Sequence, residues 1–177
     1  ENKYNHIFTA ARFVPKKGFE LLIEAFQKKA DGVLLIAGGN KKELEKLGFE
    51  IKNGISLLGK LSPAEMATQL AESKITIIPS IIEPYGIIVA EAICCGSPVV
   101  ATNVGGIPEL MRNNETGFLI KKGDHDELFK KLEILINDEK MSQKMGNAGK
   151  KFISNNFNWE IIAKDFQDKV RKHLDLS

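Results

Sequence analysis

The sequence predicts an α/β domain built on a doubly wound parallel sheet with helices on both faces. Short, continuous apolar runs recur along the chain, as they do in strands that are covered on both sides. The segments between them carry apolar residues at helical spacing. Strand and helix patterns alternate five times, which is how parallel strands joined by crossover helices are laid out.

The first strand is Ile7-Phe8-Thr9-Ala10, and Phe19, Leu22, Ile23 and Phe26 mark the helix after it. Gly32-Val33-Leu34-Leu35-Ile36-Ala37 is the second strand and Ile55-Ser56-Leu57-Leu58 the third. Ser62-Pro63-Ala64-Glu65 then supplies an N-cap, a first-turn proline and an N3 glutamate ahead of Met66 and Leu70, which together start a helix. Ile75-Thr76-Ile77-Ile78 is the fourth strand, a helix ends at about Cys95, and Pro98-Val99-Val100-Ala101 is the fifth strand. A short strand, Gly117-Phe118-Leu119-Ile120, precedes helices at about 124–137, 139–155 and 159–174 that complete or cap the domain. The expected architecture is a single Rossmann-like domain over residues 1–177 with extra C-terminal helices. No internal repeat or low-complexity tract divides it.

A chain of 177 residues buries one core of good size. Twenty-five basic and twenty-three acidic residues leave a formal charge of +2, too balanced to attract nucleic acid by long-range field, so any bound anion must be held locally. Cys94 and Cys95 are adjacent, where a disulfide would strain the peptide between them, and a reducing cytoplasm is the expected setting. No apolar run approaches the roughly 20 residues that span a bilayer, and the polar start Glu1-Asn2-Lys3-Tyr4-Asn5 lacks the form of a signal peptide. The chain begins without methionine and enters a strand almost at once, which predicts a piece of something longer.

In a parallel α/β domain, ligands sit beyond the carboxyl ends of the strands. The loop after the fourth strand, Pro79-Ser80-Ile81-Ile82-Glu83-Pro84-Tyr85-Gly86, therefore carries the most weight. Pro84 suits a first helical turn, which would leave the amides of Tyr85, Gly86 and Ile87 free to meet phosphate. From Gly86 to Cys95 the helix is apolar all round except at Glu91, so Glu91 is expected to be buried and to need a basic group, backbone donors or ligand hydroxyls. A structural pairing would satisfy Glu91 equally well. The presence of Glu83 eight residues earlier favours a ligand.

Glu83-Pro84-Tyr85-Gly86-Ile87-Ile88-Val89-Ala90-Glu91 resembles the E-x(7)-E signature of retaining glycosyltransferase family 4, the group 1 glycosyltransferases. The run from Ala92 to Ala101 and Gly105-Gly106-Ile107-Pro108-Glu109 resemble the sequence that follows it in that family. Upstream, Ala11-Arg12-Phe13-Val14-Pro15-Lys16-Lys17-Gly18 is similar to the family's G-R-x(4)-K-G element, with Ala11 in place of the first glycine, and Leu58-Gly59-Lys60-Leu61 is similar to its base-binding loop.

The resemblance covers nearly the whole chain and implies the C-terminal, donor-binding half of a two-domain GT-B enzyme, with the acceptor held by a preceding N-terminal domain. It implies that Arg12 and Lys17 hold the donor diphosphate, that Glu83 meets hydroxyls of the transferred sugar, and that Glu91 meets the ribose. The amides of Gly86, Ile87 and Ile88 would complete a phosphate cradle, with Tyr85 beside them and Leu61 lying against the base. The donor is expected to be a UDP- or GDP-hexose, with no metal or other cofactor, and the reaction to retain anomeric configuration. Lys16 is expected to be a solvated cation, and Met66 to be core. Gly105-Gly106 either admits the donor sugar or makes the turn before Pro108, and Gly38-Gly39 poses the same choice.

Cys94 and Cys95 are expected to pack, and His6, His125 and His173 form no metal-ligand spacing. Phe152, Phe157, Trp159 and Phe166 are expected to anchor the terminal helices. In full-length relatives the last helix crosses to the other domain, so its apolar face here is expected to be partly uncovered. The lysines from Lys144 to Lys172 suit a solvated face better than a peripheral membrane contact. A dinucleotide oxidoreductase is excluded because the first loop lacks a glycine fingerprint, and a phospho-receiver because it lacks acidic residues. A nucleotide-sugar epimerase of the same architecture and a binding module without activity of its own remain as alternatives.

Overall fold

The computed structural model describes residues 6–29, 33–49, 51 and 54–174. The polar start at 1–5 and Gly32 lie outside them. Six strands form one parallel sheet: β1 (His6–Ala10), β2 (Val33–Ala37), β3 (Ile55–Gly59), β4 (Ile75–Ile78), β5 (Val99–Thr102) and β6 (Gly117–Ile120), in the order β3-β2-β1-β4-β5-β6. The helices are α1 (Phe19–Lys29), α2 (Lys41–Glu45), α3 (Pro63–Glu72), α4 (Ile87–Cys95), α5 (Ile107–Leu110), α6 (His125–Asn137), α7 (Glu139–Asn156) and α8 (Trp159–His173). The doubly wound, Rossmann-like fold expected from the sequence is the fold observed.

Alternation along each strand explains the continuous apolar runs. Ile7, Ile75, Ile77 and Val100 pack on one face with Leu22 and Phe26 of α1 and Leu128 and Leu132 of α6. Their neighbours Phe8, Ile78, Val99 and Ala101 pack on the other with Leu70 of α3 and Val89 and Ile93 of α4. Both faces of the central strands are dry, so their side chains are mostly apolar, and a buried polar one such as Thr76 is bonded, here to the Ser73 and Ser97 hydroxyls. The exception is β3, where Leu57 and Leu58 are only half-buried, because this strand lies at the sheet edge.

The order of the strands fixes where a ligand can sit. From β1 the chain winds toward β2 and β3, and from β4 toward β5 and β6, although β1 and β4 are neighbours. The loops leaving their carboxyl ends therefore part company and open a crevice between them.

The start of α3 is as its sequence dictates. The Glu65 amide donates to Ser62 Oγ at 3.3 Å, and the Ser62 amide donates to Glu65 Oε2 at 2.8 Å. The Ser62 hydroxyl and amide hold the Glu65 carboxyl below its ordinary pKa. The end of the chain departs from expectation. Phe152 and Phe157 pack edge to face at 5.9 Å, but Trp159 is 85% and Phe166 67% exposed, and α8 has no buried residue. These two aromatics anchor nothing among the described residues, since the helix lies outside both apolar clusters.

Replacing Ser62 with alanine removes one half of the reciprocal cap. Urea unfolding is expected to give a loss of about 1 kcal/mol at unchanged denaturant slope.

Candidate functional site

The loop after β1 runs through a single 3-10 turn at Pro15–Lys17, with proline at its start and Gly18 in the left-handed region (φ 70°) at its end. This turn is stitched to the loop after β4, because the Lys16 carbonyl accepts from the amides of Ile81 and Ile82 at 2.9 and 3.2 Å. A side chain at Gly18 would run into the Pro79 carbonyl, so glycine is required there by both backbone angle and contact. Lys16 itself is exposed, as expected.

The two loops also meet through charge. Lys17 Nζ lies 2.5 Å from Glu83 Oε2, and the Ser80 hydroxyl donates to that same oxygen at 3.1 Å. Glu83 is 8% exposed, so its carboxylate is nearly dry and needs these donors. Arg12, on the same β1 loop, is exposed and has no ion pair among the described residues. A third loop closes behind Glu83, whose carbonyl accepts from the Gly106 amide at 3.2 Å. Gly105 (φ 53°) lies so close that a side chain would overlap the Glu83 carbonyl. The Gly105-Gly106 pair thus admits the backbone of Glu83 to Tyr85. Gly38 and Gly39 are likewise hemmed in, by the Ala11 backbone and the Phe13 ring.

Helix α4 begins later than Pro84 suggests. Gly86 is its N-cap in the left-handed conformation (φ 74°), and Pro84 precedes the helix altogether. The amides of Val89 and Ala90 both return to the Gly86 carbonyl, so those of Ile87 and Ile88 before them have no acceptor within the helix. Burial corrects a second expectation: Glu91 is exposed, and so are Ile87 (66%) and Cys94. The apolar composition of α4 does not bury it all round, because its outer face borders a groove against α3. Tyr85, 78% exposed, projects beside this face.

That groove is a cavity of about 530 Å³ lined by Leu61, Pro63, Met66, Leu70, Ile87, Glu91 and Cys94, among others. It has an apolar wall and one carboxylate, the form of a site that sandwiches a flat ring and binds hydroxyls. Met66 packs on the core from α3 as expected and also forms part of this wall. Partial burial and, secondarily, Glu91 raise the thiol pKa of Cys94, while Lys150 opposes them. A larger cavity of about 670 Å³ lies beyond the β1 loop. Its described lining offers an anion Glu20 and Glu24 and no cation.

Lys17, Glu83 and Gly106 are thus in contact, and Leu61, Ile87 and Glu91 share one cavity. Arg12 and Tyr85 reach solvent nearby with no partner of their own among the described residues. Ser80 and Thr102 are not among the expected site residues. The hydroxyl of Thr102 donates to the Ser80 carbonyl at 2.5 Å. The one local signal was a serine three residues before a glutamate, a spacing at which the two side chains can bond.

The family model of the group 1 glycosyl transferases matches residues 1–152. This chain belongs to the group 1 glycosyl transferases. It is 34% identical over 163 residues to an uncharacterized glycosyltransferase of Methanocaldococcus jannaschii, covering 90% of this chain and 46% of that protein. It is 32% identical over 166 residues to the GDP-mannose-dependent monoacylated alpha-(1-6)-phosphatidylinositol monomannoside mannosyltransferase of Corynebacterium glutamicum, covering 86% of this chain and 43% of that one. The group 1 chain therefore spans a little under half the length of these relatives. Sucrose-phosphate synthase from Thermosynechococcus elongatus matches all of this chain and 47% of its own at a TM-score of 0.84 and 26% identity. Anabaena HepE, solved with UDP-glucose, matches 94% of this chain and 48% of its own at 0.81 and 24%. The fold is that of the C-terminal, Rossmann-like domain of GT-B glycosyltransferases.

Gly105→Ala adds strain of about 1–3 kcal/mol and pushes the Glu83 loop, so urea unfolding is expected to show that loss. Cys94 is expected to be alkylated by iodoacetamide more slowly at pH 8 than a free thiol, since only the thiolate reacts. Glu91→Gln lowers the raised thiol pKa and speeds the reaction, as monitored by mass spectrometry of the Cys94 peptide.

Proposed function

We propose that this chain is the donor-binding half of a retaining hexosyltransferase of family 4 that uses a UDP- or GDP-linked sugar. The observation that carries the proposal is the Lys17–Glu83 pair at the switch point of the sheet, with Glu83 on the loop that leads directly into the start of α4. Cation and helix start suit a diphosphate, while the carboxylate suits sugar hydroxyls. A GDP-mannose-dependent relative and a UDP-glucose-bound structural neighbour support a nucleotide-sugar donor.

In this reading Arg12, Lys17 and the amides of Gly86, Ile87 and Ile88 face the diphosphate. As the bond from the anomeric carbon to the phosphate oxygen breaks, the electron pair leaves with that oxygen, and the cations stabilise its growing charge. The acceptor hydroxyl attacks from the same face, and its proton passes to the departing oxygen. Glu83 orients the sugar, and Glu91 takes the ribose diol at the rim of the apolar cavity that receives the base beside Leu61. No metal has a part in this scheme.

The acceptor would be held by an N-terminal domain. The relatives are about twice as long as this chain, and the uncovered apolar side of α8 suits contact with such a domain. The same observation favours a second description of the chain taken alone, a donor-binding module that turns over slowly or not at all.

Calorimetric titration with UDP, GDP, ADP and their hexose conjugates tests the reading. One nucleotide series is expected to bind, and the Arg12→Ala, Lys17→Ala double variant to weaken it at least about a hundredfold, two charged hydrogen bonds being lost. Binding that survives the double variant would remove the diphosphate from these loops.

A further inference from the structure

The hydrogen bonds of Glu83 are one-sided. Lys17 Nζ and Ser80 Oγ both address Oε2, and no donor reaches Oε1 among the described residues. Ser80 is 2% exposed and is held in turn by its main chain, whose carbonyl accepts from Thr102 Oγ1 at 2.5 Å. Thr102 is fully buried at the end of β5. A three-residue chain therefore runs from the rigid sheet to one oxygen of the carboxylate and leaves the other oxygen open.

The two donors on Oε2 differ in kind. A lysine is a point charge on a flexible stem and can turn toward another anion. A buried serine fixed at its backbone cannot follow. When Lys17 turns to a diphosphate, Ser80 is the hold on Glu83 that remains, and without it the carboxylate is free to rotate about a broad torsion. We propose that Ser80, held by Thr102, is a positioning residue that fixes the Glu83 carboxylate with Oε1 toward the transferred hexose, and so governs affinity for the sugar and not for the nucleotide. This rests on the donor-binding reading above.

The test compares affinities of the unaltered chain, Ser80→Ala, Ser80→Thr and Thr102→Val for UDP, UDP-glucose, GDP and GDP-mannose by calorimetry, with thermal unfolding midpoints on the same samples. Ser80→Ala and Thr102→Val are expected to bind the nucleoside diphosphate within about twofold of the unaltered chain and its hexose conjugate about tenfold more weakly. Ser80→Thr keeps the hydroxyl and is expected to restore the conjugate. Equal losses on both ligands in folded variants mean a merely structural role and overturn the proposal, as does a Ser80→Ala chain that binds the conjugate normally. If one of the two variants fails to fold, the other carries the test, because both act on the hold of Ser80 on Glu83. An unaltered chain that binds no nucleotide overturns the donor reading itself. One that binds nucleoside diphosphate and gains nothing from the hexose overturns only the positioning role.

Discussion

The contact between the β1 and β4 loops is the constraint on which the site depends. These loops leave adjacent strands in opposite directions, so nothing in the sheet itself holds them together at the crevice. The Lys17–Glu83 pair does, with the Lys16 carbonyl bonded to the amides of Ile81 and Ile82 beside it. Close approach requires no bulk at the crossing, which accounts for Gly18 against Pro79, and the loop after β5 meets the same limit with Gly105 against Glu83. Removing either partner of a mostly buried ion pair leaves the other uncompensated, a cost of roughly 3–5 kcal/mol for a fully buried pair. In the proposed function the same few atoms serve stability and chemistry.

The pair also sets the charge of the crevice. Glu83 cancels one cation, so of Arg12, Lys17 and Glu83 only a single net positive charge remains, on the exposed Arg12. A diphosphate brings more negative charge than that. The amides at the α4 start are then a necessary part of the proposed cradle, and the overall charge of +2 has no bearing on it. Lys17 changing partners, from Glu83 to phosphate, would trade one short charged contact for another, while Glu83 keeps its Ser80 bond.

What was legible in the sequence was what depends on local pattern. Continuous apolar runs specified doubly covered strands, and the Ser62 to Glu65 spacing specified a helix start. Composition misplaced Glu91 and Cys94, because an apolar helix walled by a groove looks the same in sequence as one buried all round. Pro84 suggested a helix start that the left-handed Gly86 postpones to Ile87. The Thr102 to Ser80 bond joins residues 22 apart, one at the end of β5 and one in the loop after β4, and no spacing rule reaches that far. Trp159 and Phe166 looked like anchors because aromatics usually are, yet α8 lies outside both apolar clusters.

Two sets of exposed apolar residues remain to be explained, and they differ in setting. Tyr85 and Ile87 flank the amides at the start of α4, so their exposure belongs to the rim of the crevice. A flat ring or sugar lying there would bury them together with the Leu61 wall. The apolar side of α8, with Trp159, Ile162 and Phe166 exposed, lies outside both apolar clusters among the described residues. An exposed apolar side of this kind suits contact with another protein surface. Under the proposed function, the first set would face the donor and the second an acceptor-binding domain.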